Sequence, residues 1–277
     1  MRLASFLPWL VLISSCSPVV ETMTAPAIRA KAVPMEQRTA TITAAPPAAP
    51  PASPRATNGE FSGVVFEGVA FDSRSHRLIV ADQAGGPGSR FVDAAAAASA
   101  RDGLAAVNAG FFTPAGDPLG LVVAGGKPAG SWNSASSLGS GLWYESTAGD
   151  AAISRRESLG RTRAATMREL LQAGPMLVEN GRSVPGLESE KISVRTVILW
   201  DGGHRWWIGR ASACTLAELG KTLASHRPGG WPVRHALNLD GGRSADLWIS
   251  AAIPGGPVTR RPAWNRPVRN FLILVPR

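Results

Sequence analysis

The chain has 277 residues, with 29 Lys and Arg against 20 Asp and Glu, giving a formal charge of +9 and a pI near 10.8. That cationic excess suits anionic partners such as phosphorylated glycans or membrane surfaces, whereas the lack of a recognition-helix pattern or of a basic run interleaved with aromatics argues against nucleic acid. Two cysteines exclude a disulfide framework, and no apolar stretch reaches the ~18 residues of a membrane-spanning helix.

The first element is an export signal. Arg2 precedes an apolar run over residues 3–13, and Ser14, Ser15 and Cys16 follow it. The run is too short to span a bilayer and ends in small residues, as a cleaved leader does. It resembles a bacterial lipoprotein signal over 1–16, with Cys16 as the lipidated first residue of the mature chain. The alternative is a plain secretory signal. Both readings place the protein outside the cytoplasm, and the first tethers it to the cell envelope through lipid on Cys16.

Residues 17–59 hold 8 of the 22 prolines and no aromatic residue. Such a composition buries too little apolar surface to offset its ordering entropy, so a disordered linker is expected up to residue 59. From residue 60 to 277, apolar runs alternate with turn signals, and the length suits one domain with its own core.

Within that domain, residues 62–71 and 76–81 read as a hairpin around a polar turn at 72–75. The alanine-rich stretch 92–101, opened by Asp93, reads as a short helix. A strand ending at Asn108 is expected to follow that helix, with further strands at 119–124, 141–145, 176–179, 192–200, 205–209, 237–240, 246–250 and 268–275 and tight turns at Asn180-Gly181 and Asp201-Gly202. Two more helices fit residues 166–173 and 215–226, the second opened by the capping pair Thr215 and Glu218. Hairpins with a few helices imply an α+β fold: a single domain with a mixed or antiparallel sheet and a few packed helices.

Five short motifs punctuate this domain: VNAGFF at 107–112, QAGPML at 172–177, VRTVI at 194–198, HALNLDGGRS at 235–244 and RPVRNF at 266–271. In this order and spacing they resemble the phosphodiester glycosidase family, over residues 60–277. Two positions depart from the family pattern: Ala109 stands where glycine is usual, and Val197 where alanine is common. The resemblance implies an enzyme that removes a sugar from a phosphodiester.

Breaking the bond between an anomeric carbon and a phosphate oxygen needs a carboxylate near the carbon and cations near the phosphate. Asp240, carried by a strand into the flexible pair Gly241 and Gly242, is the expected carboxylate. Arg195, inside an apolar strand, is the expected phosphate ligand, with a buried structural pair to Asp240 as its alternative. Thr196 and Ser244 are expected to add hydroxyl bonds, and Arg266 a second cation. Asn108, before Gly110 at a strand end, is expected to bond sugar hydroxyls or to orient Asp240, or else to form an Asx-turn on its own backbone. Cys214 and His235 read as structural. Residues 127–133 are a candidate lid.

The four histidines lack zinc-site spacing. No cofactor is implied, and dependence on a divalent metal stays open. The function expected is hydrolysis of an exported sugar-phosphodiester or other anionic glycan by a monomer. Two alternatives are a non-catalytic envelope glycan-binding lipoprotein and a glycoside hydrolase acting on a different cell-wall linkage.

Overall fold

A computed structural model describes residues 50–277. The export signal, Cys16 and the expected linker up to residue 49 lie outside the described residues. The linker expected to run to residue 59 ends earlier, before residue 55, because residues 55–59 already belong to a strand.

In chain order the elements are β1 (Arg55–Phe61), β2 (Val64–Asp72), β3 (His76–Asp82), α1 (Ala94–Ser99), β4 (Ala105–Asn108), β5 (Val122–Ala124), β6 (Lys127–Ala129), β7 (Gly141–Glu145) and β8 (Ala151–Arg155). They continue with α2 (Arg156–Leu159), α3 (Arg161–Ala164), β9 (Glu169–Ala173), β10 (Met176–Glu179), β11 (Arg182–Ser183), β12 (Ser193–Trp200) and β13 (Arg205–Cys214). The last are α4 (Leu216–Ser225), β14 (His235–Leu239), β15 (Leu247–Ile249), β16 (Val258–Arg260) and β17 (Asn270–Pro276).

Three sheets result, in the orders β1-β2-β13-β12-β14-β10-β11, β16-β15-β4-β17-β3 and β6-β5-β9-β7-β8. Every strand pair is antiparallel. The expected α+β class is therefore corrected to a mostly β fold, in which, among the described residues, four short helices only cover sheet faces.

The correction has a physical cause at residues 166–173. Glu, Leu, Gln and Ala favour helix in isolation, yet residues 169–173 form β9, held between β5 and β7. Leu171 and Ala173 join the main core on one face, and Leu170 joins a smaller cluster on the other. Packing on both faces overrides a propensity difference of only ~0.7 kcal/mol per residue.

The hairpin expected at 62–81 is also replaced. Ser62 and Gly63, at φ 50° and 77°, close the hairpin of β1 with β2, while the turn after Asp72 sends the chain into another sheet, where β3 pairs with β17. The Asn180-Gly181 and Asp201-Gly202 turns join β10 to β11 and β12 to β13.

One apolar cluster draws Val69, Ile198 and Leu237 from the first sheet, Val107 and Leu272 from the second, and Trp143 and Leu171 from the third. The opposite face of the first sheet offers Val197 and Leu199 to Leu219 and Leu223 of α4. That helix starts with a complete capping box between Thr215 and Glu218. The outer face of the second sheet is covered by the alanines of α1, whose first turn is capped by Asp93. Each buried leucine contributes about 1.5–3 kcal/mol.

Candidate active site

The first and second sheets meet where β14 ends, β4 ends and β17 begins. The amide N–H of Asp240 donates to the Ala109 carbonyl at 2.9 Å, and the Ala109 N–H donates to the Asn270 carbonyl at 3.1 Å. Three of the sequence motifs thus share one backbone junction.

Asn108 is the fastener of that junction. Its side-chain Oδ1 accepts from the Thr196 hydroxyl at 2.8 Å and from the Asp246 amide at 3.0 Å, and its Nδ2 donates to the Asp240 carbonyl. All of this is buried. Of the three roles expected for Asn108, the contacts correspond to orienting Asp240. No Asx-turn forms, and both its amide atoms are held by protein groups.

The Asp240 carboxylate is buried, and its Oδ2 has no hydrogen-bond partner. Arg266 Nη2 lies 3.5 Å from that oxygen, while Arg266 Nε donates to the Ser244 hydroxyl at 3.0 Å. Burial pushes the Asp240 carboxyl above its ordinary range; a hydrogen bond from Ser244, the Arg266 charge and the Gly241 amide pull against that rise. The Arg266 guanidinium stacks 4.7 Å above the Phe112 ring, with 46 % of its side chain exposed. A solvent-facing cation therefore sits over a desolvated carboxylate and is ion-paired with it through Oδ2.

The glycines let the chain close around this carboxylate. A Cβ on Gly241 would stand 2.5 Å from the Val194 carbonyl oxygen, so only glycine lets β14 leave the sheet this close to β12. Gly242 takes φ +59° and opens the 3-10 turn Gly242–Ser244 that brings the hydroxyl back beneath Arg266. Gly110 donates its N–H to Asn270 Oδ1 at 2.7 Å.

Arg195 stands apart from this group. Its Nε donates to the Cys214 carbonyl at 3.1 Å and its Nη2 to the Lys191 carbonyl at 2.6 Å, with Glu188 3.9 Å away. Neighbours on a strand point to opposite faces, so the contact of Thr196 with Asn108 turns Arg195 toward the α4 side. The structure brings together Asp240, Asn108, Thr196, Gly110, Gly241, Gly242, Ser244 and Arg266. It does not bring Arg195 to them, and among the described residues the ion pair of Asp240 is with Arg266.

Sequence reasoning missed three residues. Asn270 is buried, with Nδ2 unpartnered beside Gly110, and Arg269 forms a two-pronged pair with Asp82 at 2.9 and 2.8 Å. Both belong to the RPVRNF motif at 266–271. Asp246 is the third: burial pushes it up to about 6, against its bond to the Ala94 amide and the Arg261 charge. Its carboxylate faces α1, so only its backbone touches the junction.

The candidate lid is tied down. Gln172 Oε1 accepts from the amides of Leu121 and Asn133, and its Nε2 donates to the carbonyls of Asn133 and Gly139. Cys214 is buried and its thiol is pushed up to about 11 by burial, which suits packing and not nucleophilic attack. His235 stacks on Trp200 at 5.3 Å. Among the described residues no group of three His, Cys, Asp or Glu side chains is placed to hold a metal.

A mostly β domain with this junction matches the phosphodiester glycosidase family model over residues 102–275, and the chain belongs to that family. Its fold is similar to the catalytic domain of zebrafish N-acetylglucosamine-1-phosphodiester alpha-N-acetylglucosaminidase, auto-inhibited by its pro-peptide, at 18 % identity and a TM-score of 0.54 over 81 % of this chain and 83 % of that one. It is also similar to a hypothetical protein from Synechocystis, at 16 % identity and a TM-score of 0.56, covering 80 % of this chain and 61 % of that longer one. No curated protein matches.

Proposed function

We propose that this protein hydrolyses a sugar-phosphate diester at the bond between the anomeric carbon and the phosphate oxygen, on a glycan outside the cytoplasm. One observation carries the reading: the buried Asp240 carboxylate is ion-paired through Oδ2, at 3.5 Å, with the half-exposed Arg266 guanidinium. The carboxylate is the group that meets the anomeric carbon, as general base or nucleophile. The guanidinium takes the phosphate, whose leaving oxygen gains negative charge as the C–O bond stretches. Ser244 positions both. Water supplies the oxygen that ends on the sugar, and the phosphate departs as a monoester on the other alcohol.

The export component rests on Arg2, the apolar run 3–13 and Cys16. The cationic excess of the whole chain agrees with an anionic glycan.

The test is hydrolysis of a panel of sugar-phosphodiesters by the full chain in ¹⁸O-labelled water, with both products read by mass spectrometry. Label in the sugar and unlabelled phosphate monoester are expected. Label in the phosphate would show P–O cleavage and overturn the reading; saturable binding without turnover would identify a glycan-binding protein instead.

A further inference from the structure

A row of paired residues runs across the first sheet away from the active site. Leu239, Thr196, Arg210, Glu67 and Asn58 are successive cross-strand partners on β14, β12, β13, β2 and β1. Partners in such a row share one face of the sheet. The Thr196 hydroxyl donates to Asn108, and Glu67 Oε1 accepts from Arg260 Nε at 2.7 Å, so this face looks toward the second sheet. Between β1–β2 and β15–β16 lies a groove of about 350 Å³, lined by Asn58, Glu67, Ile249, Val258 and Arg260 among others. Its volume falls within the range of small-molecule sites, and its lining pairs an apolar wall with polar side chains, as a sugar ring and its hydroxyls require.

Arg210 stands in the row between Thr196 of the active site and Glu67 of the groove. Its Nε is buried without a hydrogen-bond partner, and among the described residues its guanidinium makes no hydrogen bond or ion pair. Burial lowers this guanidinium below the usual arginine range; Glu67 opposes that shift and Arg260 adds to it. Two guanidiniums therefore share one carboxylate, which Arg260 already holds. A partly buried cation without a partner is costly, so this end of the groove is one negative charge short.

We propose that the groove binds a further saccharide unit of the substrate, next to the bond that breaks, and that this unit carries an acidic group held by Arg210 and Arg260. The inference rests on the reading that Asp240 and Arg266 mark the scissile bond, and it names the substrate class: a phosphodiester of an acidic saccharide. Arg210 lies two strand spacings, about 10 Å, from Leu239, the residue before Asp240. Both sites are then within reach of one substrate.

The experiment is calorimetric titration of the full chain with glucose 6-phosphate, glucuronic acid and glucose, for wild type, Arg210→Gln, Arg260→Gln and Glu67→Gln, alongside crystals soaked in the sugar that binds most tightly. Wild type is expected to bind one or both acidic sugars at least about 10-fold more tightly than glucose, and Arg210→Gln to lose about that factor. Which acidic sugar binds tells a phosphate from a carboxylate. Arg260→Gln, at a side chain 45 % exposed, repeats the test should Arg210→Gln not fold. Glu67→Gln removes the competing carboxylate and is expected to bind the acidic sugar more tightly, which loss of a merely structural group would not do. Density for the acidic group is expected beside Arg210 and Arg260. Equal affinity for glucose and both acidic sugars, unchanged affinity in folded Arg210→Gln, or density at Arg266 alone would overturn the proposal. Binding is read without turnover, so this result stands apart from the hydrolysis test above.

Discussion

At the residue scale, the site is a small set of groups with unequal duties. Asn108 and Thr196 spend their polar atoms on one another and on the junction backbone. Asp240 faces the Arg266 guanidinium through Oδ2. Replacing it by Asn preserves shape and removes the charge, so Asp240→Asn is expected to lower turnover by about 10²–10⁴-fold, with circular dichroism and melting near wild type. Asp246 makes a second prediction. Its carboxyl is raised to about 6, so the folded protein binds a proton that the unfolded chain releases near its ordinary value of 3.8. This contribution is complete below about pH 4, declines as pH rises through about 6, and is worth roughly 3 kcal/mol. Asp246→Asn should flatten the fall in melting temperature between those limits. An unchanged pH profile would mean that Asp246 does not titrate in this window.

At the element scale, strands lead and helices follow. β1 pairs with β2 along seven residues, and Trp207 Nε1 donates to the Thr57 hydroxyl at 2.8 Å. A chain starting at residue 50 is expected to melt like the full chain, whereas one starting at residue 60 removes most of β1, strands that indole N–H and should melt at least about 5 °C lower. Equal melting of the two truncations would show that β1 adds nothing to the core. Much of this level was legible in the sequence. The α4 capping box, the Asp93 cap and the two hairpin dipeptides have local chemistry that no distant contact reverses. β9 was misread because its residues favour helix locally while its fate is set by β5 and β7, both distant in sequence. The β2–β3 turn was seen, but whether its flanks pair with each other is decided by β13 and β17.

At the scale of the whole molecule, motifs spread over residues 107–271 converge because β4, β14 and β17 end or begin at one place between two sheets. The order of motifs was readable from the chain. Which arginine joins Asp240 was not, because burial of a cation in an apolar strand marks Arg195 as partnered without saying by what. Its partners proved to be the carbonyls of Cys214 and Lys191, which carry no sequence signature. Asn270 was passed over because a buried amide resembles any polar residue opening a strand. The expected anchoring is a separate property of the chain. Cys16→Ser should abolish lipid labelling and release the protein from membranes; membrane association unchanged in that variant would rule out the lipid anchor.

The central claim is that chemistry occurs at Asp240 and Arg266 and that Arg195 serves the fold. The most direct measurement is kcat/KM on a sugar-phosphodiester for wild type, Arg266→Ala and Arg195→Lys, with melting recorded for each. Arg266→Ala is expected to lose about 10²-fold or more in kcat/KM with little change in melting, because its side chain is 46 % exposed. Arg195→Lys is expected to melt lower, since it loses the fork that holds two carbonyls, while its folded fraction keeps kcat/KM within a few-fold of wild type. Activity retained by Arg266→Ala and lost by a fully folded Arg195→Lys would contradict the account.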